Sequence, residues 1–325
     1  MIGISGMGVY IPPNKVSVDV LGAHLCSRQI NKTGIKSVSL ETDLTATQMA
    51  IEASIKALDD SGVAPLDIDL IINTQSSLHD YLLWQVSAAV QDGLQAHNSK
   101  FFDIYQGCSG FIMGLIISKK FLQSDGTMDT ILVNTSEKWH ATLQDGIVGG
   151  LVFGEGGTAA VIQKNSTGNF ILGDSMICRG GLNDVSRMPV GSVNPPNRAG
   201  DGTDYYYNVT NPDKARKEMI PVNVETFYRV GEEAVLNSGL TMDDVDHIIF
   251  PNVGFGLFEK VIKKFNFSPE KTNYRYVAET GDCGTVDTLL GYYRMLNDGL
   301  LQKGEHVLIL AQGAGATWAA VVIEV

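Results

Sequence analysis

One pattern occurs twice in this chain, and that repetition constrains the fold more than any composition figure. Ser61-Gly62-Val63-Ala64-Pro65-Leu66-Asp67-Ile68-Asp69-Leu70-Ile71-Ile72 aligns without a gap on Ser238-Gly239-Leu240-Thr241-Met242-Asp243-Asp244-Val245-Asp246-His247-Ile248-Ile249, 177 positions later in a chain of 325. A helix end, a turn and an apolar strand repeated over such a distance imply two like halves packed together. Further along, Gly107-Cys108 opens a long apolar segment in the first copy and Gly281-Asp282 opens one in the second. Two matching helix starts therefore bring Cys108 and Asp282 to one site on a pseudo-twofold axis.

Each half reads as helix, turn, buried strand, glycine-bounded helix and further strands. In the first, Thr45 to Leu58 is an amphipathic helix stopped by Ser61-Gly62, and Leu70-Ile71-Ile72 is a short buried strand. Cys108 to Leu122 is apolar nearly all round, which places that helix inside the molecule. Ile131-Leu132-Val133, Leu151-Val152-Phe153 and Thr158 to Ile162 add strands, with Gly154-Glu155-Gly156-Gly157 as a turn. The second half repeats the order with a helix over Glu225 to Leu236, a strand at Ile248-Ile249-Phe250, and an apolar helix over Thr285 to Leu296. Strands at Val307 to Leu310 and Trp318 to Ile323 follow, joined at Gly313-Ala314-Gly315. The expected fold class is α/β, with halves at 1–164 and 223–325. Between them 165–222 reads as an irregular insertion holding Pro195-Pro196, Gly200 to Gly202 and Tyr205-Tyr206-Tyr207, and its aromatics favour a cap.

A net charge of −12 argues against broad nucleic-acid binding. No apolar run approaches the roughly 20 residues that span a bilayer, and the first residues lack a basic start and apolar core. Cys26, Cys108, Cys178 and Cys283 are scattered without paired spacing, so neither a disulfide framework nor a metal site is indicated. The expectation is a cytoplasmic enzyme needing no cofactor.

Four positions carry candidate chemistry. Cys108 lies between Gly107 and Ser109-Gly110 at a strand-to-helix corner, where a helix dipole favours the thiolate; the alternative is a buried structural cysteine. Asp282 occupies the matching corner and could equally be a helix N-cap. Asn252 ends an apolar strand and could be a plain turn residue. Gly313-Ala314-Gly315-Ala316 can turn backbone N–H groups, those of Ala314 and Gly315, towards a reaction centre, or be only a tight turn.

Asn31-Lys32-Thr33-Gly34-Ile35, Asp103-Ile104-Tyr105-Gln106-Gly107-Cys108-Ser109-Gly110-Phe111, Phe153-Gly154-Glu155-Gly156-Gly157 and Gly313-Ala314-Gly315-Ala316-Thr317-Trp318 fall in order along the chain. With them the chain resembles the thiolase-fold β-ketoacyl-ACP synthase III family over nearly its whole length. The resemblance implies a duplicated, five-layered αβαβα fold with mixed sheets and buried central helices. It implies that Cys108 accepts an acyl group from a carrier-protein or CoA thioester, with its backbone N–H and those of Ala314 and Gly315 facing the carbonyl oxygen. It also implies a homodimer in which Tyr81 closes the partner subunit's acyl pocket.

Two departures follow from the same resemblance. The family places His and Asn where this chain has Asn252 and Asp282, and none of His24, His79, His97, His140, His247 or His306 stands in for the missing imidazole; His247, inside a strand, reads as structural. In the family's reaction a malonyl thioester decarboxylates, and the His and Asn donate hydrogen bonds to the developing enolate. An ionised Asp282 repels that enolate: like charges about 4 Å apart at an effective dielectric near 20 cost on the order of 4 kcal/mol, roughly a thousandfold in rate. A carboxylate suits instead a general base for a hydroxyl or amine attacking the Cys108 thioester.

The expected function is therefore acyl transfer from Cys108 to a small-molecule hydroxyl or amine acceptor, in fatty-acid or polyketide-type secondary metabolism. The alternatives are decarboxylative condensation to a β-ketoacyl product and a catalytically silent partner subunit of a heterodimer. Arg28 replaces the family's CoA-stacking tryptophan, and its Arg partner has no counterpart in Gly146 to Leu151, which favours a carrier-protein donor over free CoA. Lys260, Lys263 and Lys264 form a basic cluster suited to an acidic carrier.

Overall fold

The structure, a computed structural model, describes residues 1–21, 33–198 and 202–325. The first half runs β1 (Gly3–Tyr10), α1 (Ala46–Ser61), β2 (Leu70–Thr74), α2 (Val86–Leu94), β3 (Lys100–Ile104), α3 (Gly110–Ser124), β4 (Thr130–Glu137) and β5 (Gly156–Gln163). The second runs β6 (Phe170–Cys178), α4 (Ile220–Asn237), β7 (His247–Ile249), α5 (Phe255–Lys264), α6 (Val286–Asn297), β8 (His306–Gly313) and β9 (Thr317–Glu324). The strands line up as β7-β8-β9-β6-β1-β5-β4-β2-β3. Two mixed half-sheets thus meet at β1 and β6, where Gly3 pairs with Phe170.

Alternation along the strands separates the layers. Leu70 and Ile72 of β2 point to an inner core and Ile71 to an outer one; Val307, Ile309 and Ala311 of β8 point inward, Leu308 and Leu310 outward. The inner core is filled by Phe111, Ile112, Leu115 and Ile116 of α3 with Leu289, Tyr292 and Met295 of α6, between the two half-sheets. The outer cores pack α1 and α2 on the first half-sheet and α4 and α5 on the second. Helices therefore lie outside, between and outside again, the five-layered thiolase arrangement.

Local chemistry explains the repeated motif. Thr45 caps α1 with a reciprocal bond to Gln48, and Gly62 ends the helix in the left-handed region at φ 70°. Short 3₁₀ turns at Pro65–Asp67 and Met242–Asp244 then lead into β2 and β7.

Three expectations need correction. The stretch 165–222 is not irregular throughout: Phe170–Cys178 is a core strand paired with β1 and β9, the counterpart of β1 in the second half. Its alternation was masked by Gly173, Asp174 and Ser175, where a register shift lets polar residues into the strand. Leu151–Val152 pairs with Ile147–Val148 in a separate ribbon and Phe153 bridges to Asp282, so this strand does not extend the main sheet. The second-half helix begins at Ile220, ahead of Glu225. Arg28, Asn31, Lys32 and His24 lie outside the described residues. Among the described residues no helix is long and apolar enough to cross a membrane.

Candidate active site

Strands β2, β3 and β4 are mutually parallel in the sheet, so their carboxyl ends open on the same edge. Ser76 follows β2, Cys108 follows β3, and Glu137 is the last residue of β4. In the second half, parallel β7 and β8 deliver Asn252 and Gly313 to the same region. Ligand sites in parallel α/β sheets form at such strand ends.

Cys108 sits in a 3₁₀ turn, Gly107–Ser109, immediately before α3, and is partly exposed. Gly107 has φ +54°, and a Cβ there would lie 2.7 Å from the Ala314 nitrogen. Glycine is required, and the Gly313-Ala314-Gly315 turn consequently packs directly on the cysteine turn. The Cys108 thiol lies 3.7 Å from Ser76 Oγ, and Cys108 packs against the cluster of Trp139, Leu143 and Phe153, as Tyr207 does. Tyr207, from the segment expected to form a cap, contributes a ring 6.2 Å from that of Trp139 and bonds Ser186 Oγ at 2.5 Å.

The expectation that the helix dipole favours the thiolate is overturned locally. Burial pushes the Cys108 thiol well above its ordinary value, the Asp282 and Glu137 charges push it further, and the Ser76 hydroxyl opposes them. The Asp282 and Glu137 carboxylates oppose the half positive charge of the helix end. The resting residue is a thiol whose proton has to be taken away.

Asp282 is 5% exposed. Its Oδ1 accepts the Gly284 N–H at 2.8 Å, and its own backbone bonds Val152 and Gly154, fixing the corner across the two halves. Burial lifts its carboxyl to about 7, with the Glu137 charge adding to the effect and the Gly284 N–H opposing it. It does not cap α6, whose first residue is Val286.

Asn252 is equally buried. Its Nδ2 donates to the Gly281 carbonyl at 2.8 Å and to Thr280 Oγ1 at 3.2 Å. The carbonyl can only accept, so the amide orientation is settled. Its Oδ1 has no donor among the described residues. Asn252 therefore has no free amide hydrogen to offer a reaction intermediate.

Sequence reasoning passed over Glu137, Ser76, Thr285 and Asp287. Glu137 is fully buried and accepts from Ser76 N (3.0 Å) and Oγ (2.6 Å), Ser77 N (2.7 Å) and Thr285 Oγ1 (2.5 Å). Asp287 accepts from Asn252 N and Cys283 N, and burial beside Asp282 raises its carboxyl well above the ordinary range. The available signal was an acid closing a strand with no exposed face.

The peripheral candidates fall elsewhere. Lys260, Lys263 and Lys264 are exposed on α5, but Lys264 is tied to Glu225 at 2.7 Å and lies over the Tyr228 ring. Tyr81 is 68% exposed in a loop with Leu82 and Leu83, against Trp84. His247 is a buried strand residue bonded to Glu305 at 3.1 Å, as its place in the strand implied.

Residues 102–180 match the family model for 3-oxoacyl-[acyl-carrier-protein] synthase III, and 236–325 match its C-terminal model. The β-ketoacyl-[acyl-carrier-protein] synthase III of Caldanaerobacter subterraneus subsp. tengcongensis is 29% identical, with 99% of this chain and 97% of that protein aligned. The crystal structure of 3-oxoacyl-[acyl-carrier-protein] synthase III from Aquifex aeolicus superimposes with a TM-score of 0.85 at 24% identity, covering 100% of both chains. That of the acyltransferase ChlB3 gives 0.87 at 20% identity, covering 100% of this chain and 97% of the other. Both share the fold, and the paired family models, together spanning just over half the chain, show that this protein belongs to the β-ketoacyl-ACP synthase III-like family.

Proposed function

We propose that this protein accepts an acyl group on Cys108 from a carrier-protein or CoA thioester and passes it to a hydroxyl or amine acceptor. In the first step the Cys108 sulfur attacks the donor carbonyl, and the carrier thiol leaves with a proton. The N–H groups of Cys108, Ala314 and Gly315 face the developing oxyanion. In the second step the acceptor's O–H or N–H attacks the Cys108 thioester. Asp282 takes the acceptor's proton and returns one to the departing sulfur.

The observation that carries this reading is the missing pair of donors. Condensation needs hydrogen bonds given to an enolate oxygen, yet both Asn252 amide hydrogens are engaged by Thr280 and Gly281, and Asp282 supplies an acceptor. An Asp282 carboxyl near 7 is also matched to proton transfer at neutral pH. The same elevated value supports a second reading, condensation at acidic pH, where Asp282 is neutral.

The donor is a carrier protein on this reading, docking at Lys260 and Lys263, with Lys264 occupied by Glu225. Tyr81, exposed beside Leu82 and Leu83, suits insertion into a second copy of the chain. Intact-mass measurement after incubation with acyl-loaded carrier protein, with Cys108→Ala alongside, is the deciding test. An acyl adduct lost in the variant and discharged by an alcohol or amine is the expected result. No adduct from any donor points to a silent subunit, and carbon dioxide release from malonyl-carrier protein at pH 7.5 points to condensation.

A further inference from the structure

The family's imidazole is gone, and the Cys108 thiol is protonated at rest, so something else has to receive its proton. Among the described residues the Cys108 side chain has one hydrogen-bonding partner, Ser76 Oγ at 3.7 Å. Ser76 Oγ in turn lies 2.6 Å from Glu137 Oε1. A carboxylate can only accept, so the serine hydrogen points to Glu137 and leaves a serine lone pair for the thiol hydrogen. The chain is thereby directional: S–H to Oγ, then O–H to Oε1.

We propose that Ser76 and Glu137 form the proton relay that activates Cys108, in place of the missing histidine. The inference rests on Cys108 being the acyl-accepting nucleophile. As the sulfur attacks, its proton passes to Ser76 Oγ and the serine's own proton passes to Glu137 Oε1. The S–H and serine O–H bonds break while a new serine O–H and a glutamic acid O–H form. The electron pair left on sulfur makes the new C–S bond. Return of the proton along the same path restores the Glu137 carboxylate and protonates the leaving thiolate.

Two features favour this route. The relay moves a negative charge from Glu137 to sulfur rather than adding one to a buried site, avoiding the cost of burying a further ion. Neutralising Glu137 also removes one of the two charges that hold the thiol proton in place. Thr285, which donates to Glu137 Oε1, has Thr135 Oγ1 as an alternative partner, so its hydroxyl can turn away when Glu137 takes the proton. Ser76 and Glu137 are catalytic in this scheme, because Ser76 touches the reacting sulfur and Glu137 holds its proton.

The test is alkylation of Cys108 by iodoacetamide between pH 6 and 9, read from the mass of the Cys108 peptide so that other cysteines do not contribute. The titratable groups around the thiol are Asp282, Asp287, Glu137, Tyr105 and Tyr207, and all are retained when only the serine is changed. Ser76→Ala is expected to slow alkylation at pH 7 by about a hundredfold and to leave a rate that climbs steadily with pH. Ser76→Thr, which keeps a hydroxyl, is expected to recover most of the rate. Glu137→Gln, measured only in protein that keeps the wild-type circular dichroism spectrum, is expected to be slow at pH 7 like Ser76→Ala but to recover its rate at a lower pH, because it also removes a charge that opposes the thiolate. An unchanged rate and profile in Ser76→Ala, or a Ser76→Thr variant as slow as Ser76→Ala, overturns the relay. Failure of every thioester to acylate Cys108 removes the transferase reading separately, and the alkylation rates still decide the relay.

Discussion

Asp287 accepts the backbone N–H of Asn252 at 2.8 Å and, through its other oxygen, that of Cys283 at 3.1 Å. One buried carboxylate thereby ties the loop after β7 to the corner that presents Asp282. Replacing it by Asn turns an NH₂ group towards one of those N–H donors. A buried donor left without an acceptor costs about 1–3 kcal/mol. Asp287→Asn is therefore expected to lower stability by that amount in urea denaturation at pH 4, where the raised carboxyl is protonated and carries no charge; at pH 8 relief of the buried charge offsets the loss. An unchanged midpoint at pH 4 would show that the two loops are held by other contacts.

Asp282→Asn should do the opposite. A carboxyl with a folded pKa above its unfolded value binds its proton more tightly when folded, so its ionisation opposes folding. Asp282 moves from 3.8 to about 7; the penalty is absent below about pH 4, grows through the interval and is complete above pH 7. Its size is on the order of 4 kcal/mol. Asp282→Asn keeps an oxygen for Gly284 N–H and removes the charge, so its gain in melting temperature over wild type should be several degrees at pH 8 and vanish at pH 4. The same substitution should slow transfer to a hydroxyl or amine by about a hundredfold, the scale of a lost general base. Equal transfer rates in the two proteins would exclude Asp282 from proton transfer.

The duplication was legible because helix ends and buried parallel strands leave local marks. Ser61-Gly62 and Ser238-Gly239 close helices, and Ile71 and Ile248 sit at equivalent strand positions. The corner residues Cys108 and Asp282 were legible from glycines that only tight turns require. Strand β6 was not, because Asp174 and Ser175 interrupt its apolar alternation at a register shift. Glu137 and Ser76 were missed for a different reason. They lie 61 residues apart and meet only through the parallel pairing of β2 with β4, which no local pattern encodes. The exhausted donors of Asn252 depend on the Gly281 carbonyl, another contact made only by the folded chain.

Among the described residues the basic face of α5 divides into unpaired and committed charges. Lys264 is paired with Glu225 and rests on Tyr228, whereas Lys260 and Lys263 are exposed. Lys260→Glu and Lys263→Glu together should raise KM for an acyl-carrier protein about tenfold at low salt, at roughly 0.7 kcal/mol per exposed charge contact. Transfer from a short pantetheine thioester, which makes no protein contact, should keep its KM. A parallel rise for both donors would place the defect in the active site instead of on a docking surface.

Restoring the family's pair gives the sharpest contrast between the two chemistries. Asn252→His alone returns an imidazole but leaves the Asp282 carboxylate beside the enolate position. Asp282→Asn alone removes that charge, yet Asn252 still spends both amide hydrogens on Thr280 and Gly281. Each single variant therefore lacks one of the two donors on which enolate stabilisation depends, and losing one such donor costs about 10²–10³ in rate. The double variant Asn252→His/Asp282→Asn should release carbon dioxide from malonyl-carrier protein at least about tenfold faster than the product of the two single effects, because the donors act on one oxygen. Radiolabelled malonyl thioester and trapped gas measure it directly. Gains that merely multiply would mean that the two positions do not converge on the same atom, and that Asn252 and Asp282 do not decide between transfer and condensation.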